Sequence, residues 1–264
     1  MGILNLTPDS FSDGSQFSTP DKALEHAEQM IAEGADIIDL GGESTRPGAP
    51  LVSFEEELSR VVPIVEKLCK RSRVPISIDT TKALVARAAI DAGAAIVNDI
   101  SGLRFDLHIA DEVTKSGAGL VLMHSRGTPG ELHGLPPSPN IVEEVARSLR
   151  NSITLALRRG VKRESIVIDP GIGFGKTQDQ NIELIARLDQ IARALPEFPI
   201  LVGTSRKSFI GRLLDGAAVS ERLHGTMASV TAAVLRGANI VRVHDVRATV
   251  ETVRVADAIK RWLL

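Results

Sequence analysis

The chain has 264 residues, 43% of them hydrophobic and 24% charged, with a formal net charge of −2. That length and apolar content suffice for a large core, and a β/α barrel of this size is commonly one unit, so a single domain over residues 1–264 is expected. The balanced charge excludes a global basic field for nucleic acid or an anionic membrane, no run reaches the ~18 apolar residues of a spanning helix, and no secretory leader is visible; a soluble cytoplasmic protein without nucleic-acid or membrane partners is expected.

In chain order, short β-type apolar runs recur at Met1–Leu6, Asp36–Leu40, Pro75–Asp79, Ala95–Asn98, Gly119–Met123, Ile166–Asp169, Ile200–Val202 and Asn239–Val243. The segments between them carry a helical period, clearest at Phe54, Leu58, Val61, Val65 and Leu68 and again at Val142, Val145, Leu149, Ile153 and Leu157. Strand and helix alternating in this way through eight units predict a TIM (β/α)8 barrel, with any ligand at the carboxyl ends of the strands. The first strand opens at residue 1, with nothing ahead of it in this sequence to cover the barrel floor. Pro63 falls inside the second helical stripe and removes a backbone donor, which predicts a kink or a late helix start. Cys69, the only cysteine, excludes an internal disulfide and an all-cysteine metal centre and lies on an apolar stripe as core filler. The Pro-rich stretch Gly127–Pro139 reads as a long surface loop.

Two loops directly follow apolar runs, Asn5–Gly14 and Gly41–Gly48, and both are crowded with hydroxyls, carboxylates, Gly and Pro. Every other strand also ends on polar groups: Asp39, Asp79, Asn98 with Asp99, His124, Asp169, Ser205-Arg206-Lys207, and Arg242 with His244. Polar groups at every strand end on one rim are better explained by one site than by chance contact with water.

Asp79, Asn98 and Asp169 close three strands, so their short side chains face the barrel mouth. Two carboxylates and an amide suit a flat heterocycle of purine or pterin type, with N–H donors beside a carbonyl. A metal cage is the alternative, against which neither a third carboxylate nor a His stands at ligand spacing. Asp79 also precedes Thr80-Thr81 in a way that suits capping of the next helix. Ser205 and Lys207 open the helix after the seventh strand, where a cation opposes the helix dipole and so points to function rather than stability. A solvated surface lysine is the plainer alternative.

Arg242 and His244 flank Val243 and share one face of the last strand, with Asn5 beside them across the barrel seam. Together they form an anion pocket suited to phosphate or pyrophosphate. The run Gly171–Lys176 has neither dinucleotide-fold nor P-loop spacing and reads as a flexible loop presenting Phe174 as an apolar wall. His26, His108, His133 and His224 have no partner visible in the sequence.

At this point a family resemblance becomes specific. Met1–Gly14, Asp39–Gly48, Ser77–Thr80, Asn98–Gly102, Asp169–Gly175, Ser205–Ser208 and Arg242–His244 follow one another in the order seen in the dihydropteroate synthase family, which the chain resembles over nearly its whole length. The resemblance implies condensation of 6-hydroxymethyl-7,8-dihydropterin pyrophosphate with p-aminobenzoate, in an SN1-like substitution that releases pyrophosphate, in folate biosynthesis. It implies that Asp79, Asn98, Asp169 and Lys207 hold the pterin, and that Asn5, Arg242 and His244 hold the pyrophosphate with Mg²⁺ at Asn5. Thr45, Arg46, Pro47, Phe174, Lys207 and Ser205 then form the aminobenzoate site, Asn5, Lys207, Arg242 and His244 carry the chemistry, and the protein is a homodimer and a sulfonamide target. Members generally carry an extension ahead of the first strand, a second Gly where this chain has Ser15, and often Met after the residue matching His124. Two competing readings are a methyltetrahydrofolate-binding methyltransferase domain, which has no need of the two polar loops or the Arg242–His244 pair, and a pterin-binding barrel without turnover.

Overall fold

The computed structural model describes residues 1–7, 19–44, 51–127 and 135–262. Strands and helices alternate: β1 (Gly2–Asn5), α1 (Pro20–Ala32), β2 (Ile38–Gly41), α2 (Phe54–Arg71), β3 (Ile76–Asp79), α3 (Ala83–Asp91), β4 (Ile96–Asp99), α4 (His108–Ser116), β5 (Gly119–Met123), α5 (Ile141–Arg158) and β6 (Ile166–Asp169). The remainder is α6 (Gln178–Ala186), α7 (Leu188–Ala194), β7 (Leu201–Val202), α8 (Ser208–Leu213), α9 (Leu223–Leu235), β8 (Ile240–Val241) and α10 (Val246–Lys260). Strands β1 to β6 form one parallel sheet in sequence order, and β7 pairs with β8. Parallel bridges Ile168↔Ile200 and Gly2↔Val243 join the two sheets at both seams. Backbone bonds at the last seam, Ile3 N to Val243 O at 2.9 Å and Val243 N to Met1 O at 3.0 Å, close the ring as the (β/α)8 barrel expected.

Alternation along the strands decides which face is which. Leu4, Ile38, Leu40, Ile76, Ile78, Val97, Leu120, Leu122 and Ile168 are buried, and they pack outward beneath the helices. The alternate positions, Asp39, Ser77, Asp79, Asn98, Asp169 and Arg242, therefore turn into the barrel, and the parallel register sets Asn5 against Gly41 and Gly41 against Asp79.

The helices form where stripe and cap agree. Asn140 caps α5 by accepting from Glu143 N at 3.2 Å, and Val142, Val145, Leu149 and Ile153 are its buried face. Ser53 caps α2, whose first turn holds Glu55, Glu56 and Glu57 and whose last holds Lys70 and Arg71, in accord with the dipole. The late start expected from Pro63 does not occur: α2 is continuous from Phe54, because its cap and its buried Val61, Ile64, Val65 and Leu68 outweigh one missing donor. Cys69 packs half-buried against the core, and burial pushes its thiol pKa up. No helix among the described residues is long and apolar enough to cross a membrane.

Candidate active site

The barrel mouth is organised by one guanidinium. Arg242 donates from Nε to Asp39 Oδ2 at 2.5 Å and from Nη2 to Asp79 Oδ2 at 2.8 Å. Asn98 Nδ2 donates to the same Asp39 oxygen at 3.1 Å. Strands β2, β3, β4 and β8 are thus tied together by side chains at one level of the barrel. Asn5 belongs to the same rim, since a Cβ on Gly41 would lie 3.8 Å from both Asn5 Oδ1 and Asp79 Oδ2.

Asp169 is buried on the far side, where its Oδ1 accepts from Gly171 N at 2.6 Å. Burial raises its pKa, opposed by that backbone bond and by Lys207. Lys207 stands at the N-cap of α8, donates to the carbonyl of Ile172, and places Nζ 4.5 Å from the centre of the Phe174 ring. Burial lowers its pKa to about 8, with Asp169 resisting the shift. Asp79 is raised to about 7 by burial, against the pull of Arg242. For Arg242, burial disfavours the charge, but Asp39 and Asp79 more than offset it and the pKa is raised. Ser205 Oγ lies 3.0 Å from His244 Nδ1 and accepts from His244 N at 3.2 Å.

The structure therefore joins Asp79, Asn98 and Arg242 in one hydrogen-bonded network, places Asn5 beside it, and pairs Ser205 with His244. Lys207 and Phe174 meet across the mouth near Asp169. Thr45, Arg46, Pro47 and His133 lie outside the described residues. Two expectations change. Asp79 does not cap the following helix: Lys82 is the N-cap residue of α3, and Asp106 Oδ2 accepts from Ala83 N at 2.8 Å, because the Asp79 carboxylate is held by Arg242 instead. The Gly171–Lys176 run is not a flexible loop but a bonded turn, in which Lys176 Nζ donates to the carbonyls of Gly171, Phe174 and His124 at 2.7, 3.0 and 3.3 Å.

Three groups were missed as site residues. Asp39 was named on the rim but given no role, although alternation sets it on the inward face with Gly41. Lys176 gives no period or spacing that distinguishes it from a surface lysine. Glu57, fully buried on α2, accepts from Lys82 Nζ at 2.6 Å, and Lys82 also reaches Glu43 at 2.8 Å in the loop after β2. Two other polar strand-end groups are structural. Asp99 accepts from the backbone N of Ser101 and Leu103 at 2.8 and 2.6 Å, ordering the turn after β4. Burial, followed by the charges of Lys176, Arg104 and Arg126, lowers the pKa of His124 to about 2 and keeps it neutral. No cluster of three or more His, Cys, Asp or Glu suited to a metal ion occurs among the described residues.

The mouth is therefore a polar floor of carboxylates and an amide beside a fixed guanidinium, with an aromatic wall and an ammonium opposite. That combination is chemically suited to a hydrogen-bonding heterocycle next to an anion. Residues 1–244 match the model of a family described as pterin binding enzymes. A dihydropteroate synthase of Synechocystis is 48% identical over 99% of this chain and 90% of its own length. A solved Yersinia pestis dihydropteroate synthase with a sulfonamide drug complex superposes with a TM-score of 0.93 at 42% identity, over 99% of this chain and 94% of that one. A Xanthomonas albilineans dihydropteroate synthase with 4-aminobenzoic acid does so with a TM-score of 0.90 at 42% identity, over 98% and 92%. The chain belongs to the pterin-binding enzymes and, within them, to the dihydropteroate synthases.

Proposed function

We propose that this barrel mouth joins 6-hydroxymethyl-7,8-dihydropterin pyrophosphate to p-aminobenzoate and releases pyrophosphate, with Arg242 at the boundary between the two halves of the first substrate. The observation that carries the reading is the double engagement of Arg242 by Asp39 and Asp79, which sets a cation against the acceptors that suit a pterin. Asp79, Asn98 and Asp169 are assigned to the pterin N–H and carbonyl groups, and Lys207 to the gap between pterin and aminobenzoate. Phe174 and Ser205 are assigned to the aminobenzoate side, together with Thr45, Arg46 and Pro47.

In this mechanism the methylene–oxygen bond of the substrate breaks heterolytically and its electron pair leaves with the pyrophosphate. Arg242 and His244 neutralise the charge that develops there, while the electron-rich pterin stabilises the methylene cation. The aniline nitrogen then attacks and loses its proton after the C–N bond forms. Burial excludes water that would otherwise capture the cation, and the network fixes the reacting partners in line. Asn5 Oδ1, a hard neutral oxygen beside Asp79 on the rim, is the atom assigned to Mg²⁺. A single protein oxygen fits that ion, which commonly completes its shell with substrate phosphate and water and, when bound, neutralises the diphosphate.

A homodimer is proposed on the outer surface. Val255, Ile259 and Trp262, 62%, 48% and 92% exposed, follow one another at helical spacing along and just past α10, an apolar stripe that a second copy would cover. A cytoplasmic location accords with the substrates. Incubation with the pterin pyrophosphate, p-aminobenzoate and Mg²⁺ tests the reaction, with dihydropteroate and pyrophosphate forming in equal amounts. Folded protein that binds a pterin without forming product would leave a barrel without turnover.

A further inference from the structure

We infer that Lys176 is a positioning residue for the reaction, a buried side chain whose nitrogen fixes the turn carrying Phe174 and the carbonyl that anchors Lys207. The inference rests on the assignment of Phe174 and Lys207 to the aminobenzoate side of the mouth.

Lys176 Nζ donates to backbone carbonyls alone, those of Gly171, Phe174 and His124, at 2.7, 3.0 and 3.3 Å, among the hydrogen bonds of the described residues. His124 lies just past the end of β5 and Gly171 just past the end of β6, so one side chain holds two strand ends and the turn between β6 and α6. Burial lowers the Lys176 pKa well below the usual range, with Asp169 resisting. Burying an amine is costly unless its N–H groups are met, and here they are met by carbonyls of which only that of Gly171 also accepts from a backbone donor, Phe174 N at 3.2 Å, among the bonds of the described residues.

The turn is closely packed around them. Gly171, Gly173 and Gly175 all have positive φ, at 68°, 87° and 69°. A Cβ on Gly171 would come within 1.8 Å of the His124 carbonyl oxygen, and one on Gly175 within 2.7 Å of the Arg126 carbonyl oxygen. Backbone packed this closely brings the carbonyls of Gly171, Phe174 and His124 around one point, where Lys176 Nζ sits. On the opposite side of the same turn, the Lys207 stem lies 2.9 Å from the place a Cβ on Gly173 would occupy, and its Nζ bonds Ile172 O. Lys176 holds the turn from within and Lys207 rests on it from the mouth. With its donors consumed by backbone, Lys176 does not face substrate and acts through Phe174 and Lys207.

The test is steady-state kinetics of Lys176→Met and Lys176→Gln in the full chain, with each substrate varied in turn. Because KM does not depend on how much of a preparation is active, a merely structural role lowers yield or kcat and leaves both KM values in place. Positioning predicts that the KM for p-aminobenzoate rises about tenfold in Lys176→Met, and less in Lys176→Gln, whose amide still donates to two carbonyls. The KM for the pterin pyrophosphate is expected to rise less than that for p-aminobenzoate, since Asp79 and Asn98 are held independently of the turn and only Asp169, through Gly171 N, and Lys207 touch it. If Lys176→Met does not fold, Lys176→Gln decides alone. An unchanged KM for p-aminobenzoate in the variants that fold overturns the inference. Wild-type turnover in the same assay separates that result from a failure of the assigned reaction.

Discussion

Arg242 and Asp39, 203 positions apart in the chain, meet at 2.5 Å inside the barrel, where Asp39 is fully buried. Neither residue is stable there alone. Among the described residues the carboxylate has Arg242 and Asn98 on its Oδ2 and no hydrogen-bond partner on Oδ1. The same guanidinium reaches Asp79, so a residue assigned to the leaving group also sets the pterin floor.

Truncating Arg242 should therefore act twice. Arg242→Ala removes a donor to developing negative charge, which costs about 3–4 kcal/mol of transition-state stabilisation, or roughly 10²–10³ in kcat/KM. It also leaves Asp39 as an uncompensated buried charge, at about 3–5 kcal/mol of stability. Arg242→Lys should not restore the rate, because a point charge cannot span carboxylates on two strands as the planar fork does. Paired measurements of kcat/KM and urea midpoint check both halves, and an unchanged kcat/KM would place the anion pocket elsewhere.

Asp169→Asn should separate ligand binding from folding. The amide oxygen of Asn still accepts from Gly171 N, so the turn after β6 keeps its first bond. What is lost is the charge that faces Lys207 and the stronger acceptor for a pterin N–H. Hydrogen bonds to charged groups contribute about 1.5–3 kcal/mol, so a pterin analogue should bind roughly ten- to a hundredfold more weakly, with the thermal midpoint little changed. Calorimetric titration measures this directly, and equal affinity for wild type and variant would move the heterocycle away from β6.

The pH dependence follows from two displaced groups. Asp79, raised to about 7, must be ionised to accept from the pterin, while Lys207, lowered to about 8, must keep its proton to act as an ammonium. The rate then rises with pH through the first value and falls through the second, giving a narrow bell in kcat/KM whose limbs belong to the coupled network. Asp79→Asn should flatten the acid limb and Lys207→Arg the alkaline one. For stability, the folded chain holds the Asp79 proton between pH 3.8 and about 7 while the unfolded chain has released it, so this group's contribution falls as pH rises through that window. A pH titration of the urea midpoint in wild type and Asp79→Asn isolates the difference.

What the sequence made legible follows from which interactions are local. Strands and helices announced themselves through their periods, so the barrel and the polar rim could be read from spacing alone. Asp79, Asn98, Asp169 and Arg242 were visible because each ends an apolar run. Their partners were not, because pairing Arg242 with Asp39 depends on the barrel closing between β8 and β1, a contact between chain ends that no window spans. Lys176 was illegible for a related reason: its three acceptors are backbone carbonyls, which every sequence supplies everywhere. The Gly-rich run suggested mobility because glycine permits it, whereas here the glycines make room for close backbone approach.

The pair Glu57 and Lys82 offers a test of the scaffold behind the mouth. Glu57 is fully buried on α2; Oε2 accepts from Lys82 Nζ at 2.6 Å, and Oε1 has no partner among the described residues. Lys82 also bonds Glu43 Oε2 at 2.8 Å, and Glu43 Oε1 accepts from Val52 N at 2.9 Å, so the lysine links α2, α3 and the loop after β2. Lys82→Met strands Glu57 in the core and should cost about 3–5 kcal/mol. Glu57→Gln alone should cost less, since the amide keeps an acceptor for Lys82 and carries no charge to bury. The double variant Glu57→Gln with Lys82→Met should then be more stable than Lys82→Met alone, because the stranded charge has gone. Urea midpoints at constant m-value complete the cycle, and strict additivity of the two single effects would mean that Glu57 and Lys82 stabilise the barrel independently.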